Sequence, residues 1–398
     1  MEVNDLWDFL NRTRESGKYP DDDRLGLPGG GPPYTDDMMR HHLGPLWDFH
    51  ELFLQVYGYA SIVVCIFGIL TNVINITVLM AKDMRTATNY LLTFLAISDI
   101  LTMLPYIPYI FHFYCPLTDP TDTPAKYTYN WILYMLIIVY LFATTHTISI
   151  WLAVTLAAFR FCQIRSSCPR GPLAKERRIR HVKIAAAIIY VLSLIILIPY
   201  YVTNEIKKER ISYTNVTFYT LNMKQLGTSD TSLVVFTSYI TYAILAKILP
   251  CILILIFSGS LLYHMGVKAV RRRQRLSATR QRVNTTRMLL VVLMLFIFTE
   301  LPQGILFILS VSVPDFHRNV YYPLSELTDF IALLNNAINF VLYCVMSQQF
   351  RDKFFSIYIK PICERRRTMI TSTSELLILR EHVPRTVTTT THDENGRV

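Results

Sequence analysis

The sequence predicts an all-α membrane protein: a bundle of seven transmembrane helices followed by a short amphipathic juxtamembrane helix. Hydrophobic residues make up 52% of the 398-residue chain and charged residues only 17%, a balance too apolar for a soluble protein of this length. About 20 apolar residues are needed to cross the hydrocarbon core of a bilayer. Seven runs reach that length: 56–80, 90–113, 131–158, 184–203, 233–264, 288–312 and 324–347.

The composition divides the chain into four predicted regions. Residues 1–54 are rich in Pro, Gly and acidic residues, so we expect a disordered N-terminus, followed by the helix bundle at 55–348. Residues 349–362 mix Phe with basic residues (FRDKFFSIYIKPI), which is typical of a helix lying on the membrane surface. Residues 363–398 form a predicted disordered cytoplasmic tail. It begins at Cys363, a candidate for lipidation or, alternatively, a free thiol.

The placement of Lys and Arg predicts the orientation of the bundle. Basic residues concentrate between the third and fourth runs and between the fifth and sixth, and such an excess marks the cytoplasmic side. The N-terminus is then extracellular, in a multi-pass protein of the plasma membrane. Asn11 (NRT) and Asn215 (NVT) become candidate glycosylation sites. We interpret the net charge of +10 as contact with anionic lipid, and we expect no nucleic-acid binding.

Polar residues inside the apolar runs carry most of the functional signal. Each is costly in hydrocarbon, so each is expected to face the bundle interior or water. Their order along the chain resembles that of a rhodopsin-like (class A) G-protein-coupled receptor over residues 55–358. The anchors are Asn72 in GILTN, Asp99 in LAISD, Arg160 at the end of the third run, Pro250, Pro302, and NNAINFVLY from Asn335 to Tyr343.

Within that class, the sequence resembles the invertebrate myosuppressin and FMRFamide-like peptide receptors. The segments that carry it are HTISIWLAVTLAAFRF, KILPC, TELPQGIL, NFVLYC, KDMRTATNYLLTFLAISD and LPYIPY. The resemblance implies a receptor for an amidated neuropeptide ending in Arg-Phe-amide, signalling through a heterotrimeric G protein of the inhibitory type. It also implies that arrestin and a receptor kinase act on the Ser/Thr clusters TMITSTSE and TVTTTTHDE of the tail.

The resemblance further implies roles for individual residues. Arg160 would meet the G protein, and Ile150, Pro250 and Phe296 would form an apolar transmission cluster, although such residues also serve simply as core. Asn339 and Tyr343 belong to the same activation machinery. A polar pocket able to hold Na⁺ would be lined by Asp99, Asn72, Asn335 and Asn339; helix-packing hydrogen bonds are the alternative.

Several positions depart from the common receptor pattern. Arg160 lies between Phe159 and Phe161 and has no neighbouring acid, and the Cys usual at the top of the third helix is missing near Met135. The Trp usual before Pro302 is replaced by Glu300. We predict that Glu300 pairs with Lys247, because an unpaired buried charge costs several kcal/mol. Such a pair either couples the ligand cavity to movement of the sixth helix, with Pro302 as its kink, or is static.

The predicted ligand cavity combines an acidic anchor with aromatic walls. Asp329 lies about 15 Å of helix outward of Asn339 and offers a carboxylate to a cationic ligand, with Glu326 one turn above it. A bidentate contact from a peptide Arg would suit Asp329. The remaining predicted ligand contacts are His146, Phe142, Tyr106, Tyr109, Tyr242 and Gln303, of which the aromatic members could equally be packing residues and His146 a satisfied interior histidine.

Three alternatives remain open from the sequence. The nearest is a receptor for sex peptide and myoinhibitory peptides, whose C-terminus is a Trp-amide. A secondary transporter could use Asp99, Lys247, Glu300 and Asp329 as an ion path, but the sequence shows no internal repeat. An enzyme would need a metal or nucleophile motif, and the sequence contains no HExxH and no Cys/His cluster. We therefore expect a receptor without a cofactor other than a bound Na⁺.

Overall fold

The computed structural model describes residues 45–115, 126–165, 171–210, 217–223, 238, 240–271, 278–313 and 316–364. Asn11 and Asn215, the glycosylation candidates, lie outside these residues, as do the Ser/Thr clusters of the tail. For Phe296 only the backbone is described. These assignments therefore stay predictions.

Seven long helices form the bundle, which confirms the predicted fold class. They are α1 (Pro45–Leu79), α2 (Ala87–Tyr114), α3 (Tyr129–Arg165), α4 (Pro172–Ile196), α5 (Leu249–Arg271), α6 (Ala278–Ser312) and α7 (Tyr322–Met346). Wider π-helical turns, Tyr242–Ile248 and His317–Tyr321, lead into α5 and α7. In the described part of the chain, six helices are long and apolar enough to span a membrane, and α6 contributes the shorter apolar stretch Ile297–Ser310.

The first helix begins earlier than the sequence predicts. Residues from Pro45 onward belong to α1, although the N-terminal region was expected to remain disordered up to residue 54. The reason is a tertiary contact with the start of α7: the Trp47 ring stacks on Tyr322 at 5.7 Å, and His50 Nδ1 donates to the carbonyl oxygen of Pro323 at 3.2 Å. Hydropathy misses this extension because polar residues such as Asp48 and Glu51 share the turn.

A second compact unit begins at Gln348, directly after the bundle. It opens with α8 (Gln348–Phe354), which continues into the π-helical turn Phe355–Ile359. Phe355 and Ile359 are exposed, and so is Cys363. An exposed thiol is accessible to an acyltransferase, so lipidation of Cys363 stays a prediction.

A β-hairpin between α4 and α5 was not predicted from the sequence. Strand β1 (Asn204–Arg210) pairs antiparallel with β2 (Thr217–Met223), and Ile206 lies opposite Leu221. The backbone N–H of Tyr219 donates to the carbonyl oxygen of Tyr127 at 2.9 Å, which attaches the hairpin to the segment before α3. Phe218 and Leu221 are buried in one cluster with Phe113 of α2 and with Tyr127.

Stacked rings join α2 to α3 beside this hairpin. The His112 and Trp131 rings lie parallel with centroids 3.7 Å apart, and His112 Nε2 donates to the carbonyl oxygen of Lys126 at 2.9 Å. Neither strand of the hairpin contains a cysteine. Apolar burial and one backbone hydrogen bond therefore attach the hairpin to the segment before α3.

We predict that Phe218→Ala loosens the hairpin and lowers the melting temperature of the purified protein by several degrees. Removing a buried Phe ring costs about 3–5 kcal/mol in a well-packed core. Thr217→Ala is the matched control, because Thr217 is the exposed neighbour on the same strand. Thermal unfolding in detergent should separate the two variants; equal melting temperatures would show that the buried ring does not hold the hairpin.

Candidate functional site

A buried ionic cluster lies at the meeting point of α3, α6 and the turn that leads into α5. Lys247 Nζ and His146 Nε2 both donate to Glu300 Oε2, each at 2.8 Å. Lys247 Nζ also donates to Gln303 Oε1 at 2.6 Å. The side chains of Glu300 and His146 are each 1% exposed and that of Lys247 3%. The structure thus brings Lys247 and Glu300 together as the sequence predicts, and it adds His146 as a third member.

Local geometry brings the two charged side chains within reach of each other. Lys247 lies in the π-helical turn Tyr242–Ile248, which ends just before Pro250. Pro250 has no N–H to continue the α-helical hydrogen bonding of that turn, and such wide turns re-aim side chains. On α6, Gly304 lets the helices approach closely: a Cβ there would lie 2.9 Å from Ile248 Cδ1 and 3.0 Å from Lys247 Cβ.

Aromatic rings and a second carboxylate lie beside this cluster. Phe142, one turn from His146 on α3, stacks on the His146 ring at 5.7 Å and packs against Tyr106 at 5.3 Å. The Tyr106 hydroxyl donates to Asp329 Oδ2 at 3.4 Å, the one hydrogen bond that this carboxylate makes with the described residues. Asp329 is half-buried, and its carboxylate has acceptor capacity that no described residue uses.

Glu326 is more enclosed than Asp329 and lies close to α1, so its part in the acidic anchor stays a prediction. Its side chain is 8% exposed, accepts a hydrogen bond from Ser325 Oγ at 2.8 Å and lies 3.5 Å from His50 Nδ1. The carboxylate is therefore engaged with α1. The sequence could not show this, because His50 belongs to the stretch that was expected to be disordered.

The other predicted cavity residues divide between wall and core. Gln303, Phe142 and Tyr242 are half-buried, and Tyr242 stacks on Tyr200 at 5.3 Å. Tyr109 is buried in the aromatic core, with its ring 5.2 Å from that of Tyr106. Tyr106 is buried as deeply, so burial does not separate the two rings, and both stay predicted ligand contacts.

A polar line of buried side chains runs through α1, α2, α3 and α7. Asp99 accepts from Asn339 Nδ2 at 3.0 Å and from Ser149 Oγ at 3.3 Å. Asn72 Nδ2 donates to the backbone oxygen of Asn336 at 3.0 Å. Asn335 is buried and its Nδ2 has no hydrogen-bond partner among the described residues, so its place in the polar pocket stays a prediction. The oxygens of Asp99 and Ser149 are of the kind that hard cations bind, so they fit a Na⁺ ion.

The residues predicted to couple ligand binding to the G protein lie on α3, α5, α6 and α7. Arg160 Nη1 donates only a long 3.4 Å hydrogen bond to Gln163 Oε1, and Arg160 Nε has no partner in the part of the chain that the structure describes. Ile150 and Tyr343 are buried, and Pro250 is buried while Pro302 is exposed on the outside of α6. The Arg160 guanidinium thus has hydrogen-bond donors that no described residue uses.

Seven long helices, six of them apolar enough to span a membrane, form the architecture of a multi-pass membrane protein in the described part of the chain. Residues 59–360 match the sequence model of the "Serpentine type 7TM GPCR chemoreceptor Srw" family. The chain belongs to this family of seven-transmembrane G-protein-coupled receptors, which confirms the resemblance found in the sequence. The family consists of receptors and not of enzymes.

Relatives in two invertebrates are similar over most of the chain. The G-protein coupled receptor dmsr-1 of Caenorhabditis elegans is 27% identical over 80% of this chain and 72% of its own length. The sex peptide receptor of Drosophila melanogaster is 28% identical over 78% of this chain and 74% of its own. The FMRFamide receptor of Drosophila melanogaster is 24% identical over 86% of this chain and 60% of its own length.

We predict that Gly304→Val separates α5 from α6 and destabilises the ionic cluster. The added side chain would begin 3.0 Å or less from Lys247 Cβ and Ile248 Cδ1, and overpacking of this kind costs about 1–3 kcal/mol. Gly259→Val is the control, because a Cβ at Gly259 meets nothing within 4 Å. The melting temperature of the purified receptor should fall for Gly304→Val alone; equal values for the two variants would contradict the prediction.

A second prediction tests whether the stability of the bundle depends on the charge pairing between Lys247 and Glu300. Lys247→Met leaves the Glu300 carboxylate buried with one donor, and breaking a buried pair in this way costs about 3–5 kcal/mol. Combining it with Glu300→Gln removes the charge and keeps an acceptor for His146, so the double variant should be more stable than the single one. Lys207→Met, which breaks the exposed Lys207–Glu205 pair, should change the melting temperature little. A double variant less stable than Lys247→Met would argue against charge pairing.

Proposed function

We propose that the protein is a cell-surface receptor for an amidated neuropeptide with an Arg-Phe-amide C-terminus. The observation that carries this proposal is Asp329, a half-buried carboxylate that keeps bonding capacity and lies against the aromatic wall of Tyr106 and Phe142. A guanidinium binds a carboxylate through two parallel hydrogen bonds, and an aromatic wall suits a Phe side chain. The similarity to a receptor named for FMRFamide supports the same ligand chemistry.

We further propose how binding reaches a heterotrimeric G protein of the inhibitory type. The ionic cluster joins α3, α5 and α6 through Glu300, so a ligand that alters it biases the packing of α6. An outward swing of the cytoplasmic end of α6 would open a cleft beside Arg160, whose guanidinium has spare donors. Asp99 and Ser149 would hold a Na⁺ ion that favours one of the two packings.

The remaining features of this proposal concern the membrane and the tail. The N-terminus, with glycans at Asn11 and Asn215, lies outside the plasma membrane. Acylation of Cys363 tethers the chain after α8 to membrane lipid. A receptor kinase phosphorylates the Ser/Thr clusters of the tail, and the added negative charge recruits arrestin.

The alternative ligand class is a Trp-amide peptide, which the similarity to the sex peptide receptor favours. A Trp-amide peptide without a penultimate Arg would leave the Asp329 carboxylate without a cationic partner. The two ligand classes therefore differ in how strongly they depend on Asp329.

We predict that Asp329→Asn weakens activation by Phe-Met-Arg-Phe-amide on the order of 100-fold, because losing one partner of a desolvated charge pair costs about 2–5 kcal/mol. G-protein dissociation in cells that express the receptor at matched surface density measures this. Glu326→Gln is the control, because Glu326 is engaged with His50 and should shift the response much less. A response to Trp-amide peptides alone would favour the alternative.

A further inference from the structure

The ionic cluster contains two polar atoms whose bonding is incomplete. Glu300 takes both of its hydrogen bonds on Oε2, and Oε1 has no partner among the described residues; the same holds for His146 Nδ1. Both side chains are 1% exposed. A buried acceptor without a donor is strongly unfavourable, most of all on a carboxylate. The cluster can therefore accept a hydrogen bond from an additional donor group.

The existing bonds define which group would complete it. A carboxylate oxygen accepts, so His146 Nε2 carries a proton, and in the neutral form of the ring Nδ1 is then an acceptor. Lys247 Nζ has three N–H donors and uses two, on Glu300 and Gln303. The cluster thus presents acceptors together with a spare donor. A primary carboxamide has the complementary set, with two N–H donors and a carbonyl acceptor.

The chain itself supplies one such group. Gln303 is half-buried, lies one helical turn from Glu300, and its carboxamide oxygen accepts from Lys247 Nζ at 2.6 Å. We propose that the cluster binds the C-terminal carboxamide of the peptide, which displaces the Gln303 carboxamide from Lys247 and donates to Glu300 Oε1. This inference rests on the proposed function and identifies Lys247 and Glu300 as the residues that recognise the C-terminal carboxamide of the peptide.

Charge makes the same site select against a free C-terminal acid. Lys247 balances Glu300, while Asp329 leaves negative charge for the peptide Arg to neutralise. A neutral carboxamide preserves this balance. A terminal carboxylate would bring a second buried anion close to Glu300. Because that charge would be uncompensated, the free-acid peptide should bind much more weakly than the amidated one.

The first test uses the unaltered receptor in lipid nanodiscs and three forms of Phe-Met-Arg-Phe: amide, methyl ester and free acid. Each competes with a fluorescent amidated peptide for binding. The ester is neutral and keeps the carbonyl but has no N–H, so we expect it to bind about 10-fold weaker than the amide or worse, and the acid weaker still. Equal binding of ester and amide would overturn the inference, because no donor would then be needed.

The second test changes the receptor. Glu300→Gln keeps the side-chain size and removes the anion, so the preference for amide over acid should fall at least about 10-fold. Asp329→Asn is the control and should weaken both forms alike, leaving their ratio unchanged. An unchanged ratio in Glu300→Gln would overturn this inference alone. If neither Phe-Met-Arg-Phe-amide nor a peptide ending in Trp-amide binds, the proposed function fails and the inference with it.

Discussion

The neutralisation of one buried carboxylate, Glu300, is the constraint on which the centre of the bundle depends. A carboxylate with 1% exposure in a membrane protein has to be paired, and Lys247 and His146 pair it from two other helices. Both contacts require α3, α5 and α6 to meet at a single point. Gly304 permits that approach, and the π-helical turn before Pro250 carries Lys247 to it. The pairing of the Glu300 charge and the packing of these helices therefore depend on each other.

Four acidic side chains in the bundle have different environments, and the difference separates their roles. Glu300 binds a lysine and a histidine, Glu326 is held by Ser325 beside His50, and Asp99 accepts from an amide and a hydroxyl. Asp329 alone of the four is half-buried and bonded by a single phenol. A carboxylate with unused acceptor capacity is the one that gains most from a cationic ligand, whereas the other three tie helices together.

The aromatic wall connects the Asp329 carboxylate to the paired one. Tyr106 contacts both Asp329 and the ring of Phe142, and Phe142 stacks on His146, which in turn binds Glu300. A ligand at Asp329 therefore lies two ring contacts away from the group that holds α6. This continuity of packed side chains is the physical basis for linking the outer cavity to the helix that moves. The hairpin is held by apolar burial and by one backbone hydrogen bond to the segment before α3.

The sequence by itself determined the number of helices and the polar positions within them, because hydrophobic run length and the cost of isolated polar groups in hydrocarbon are local properties. It also suggested the Lys247–Glu300 pair, since two opposite charges in facing apolar runs have few other partners. Only the tertiary structure decided that His146 completes that pair, that Glu326 is engaged with α1, that α1 starts at Pro45, and that a hairpin follows α4. Each of these depends on which side chains distant in sequence come within bonding distance, and neither hydropathy nor spacing along one helix contains that information.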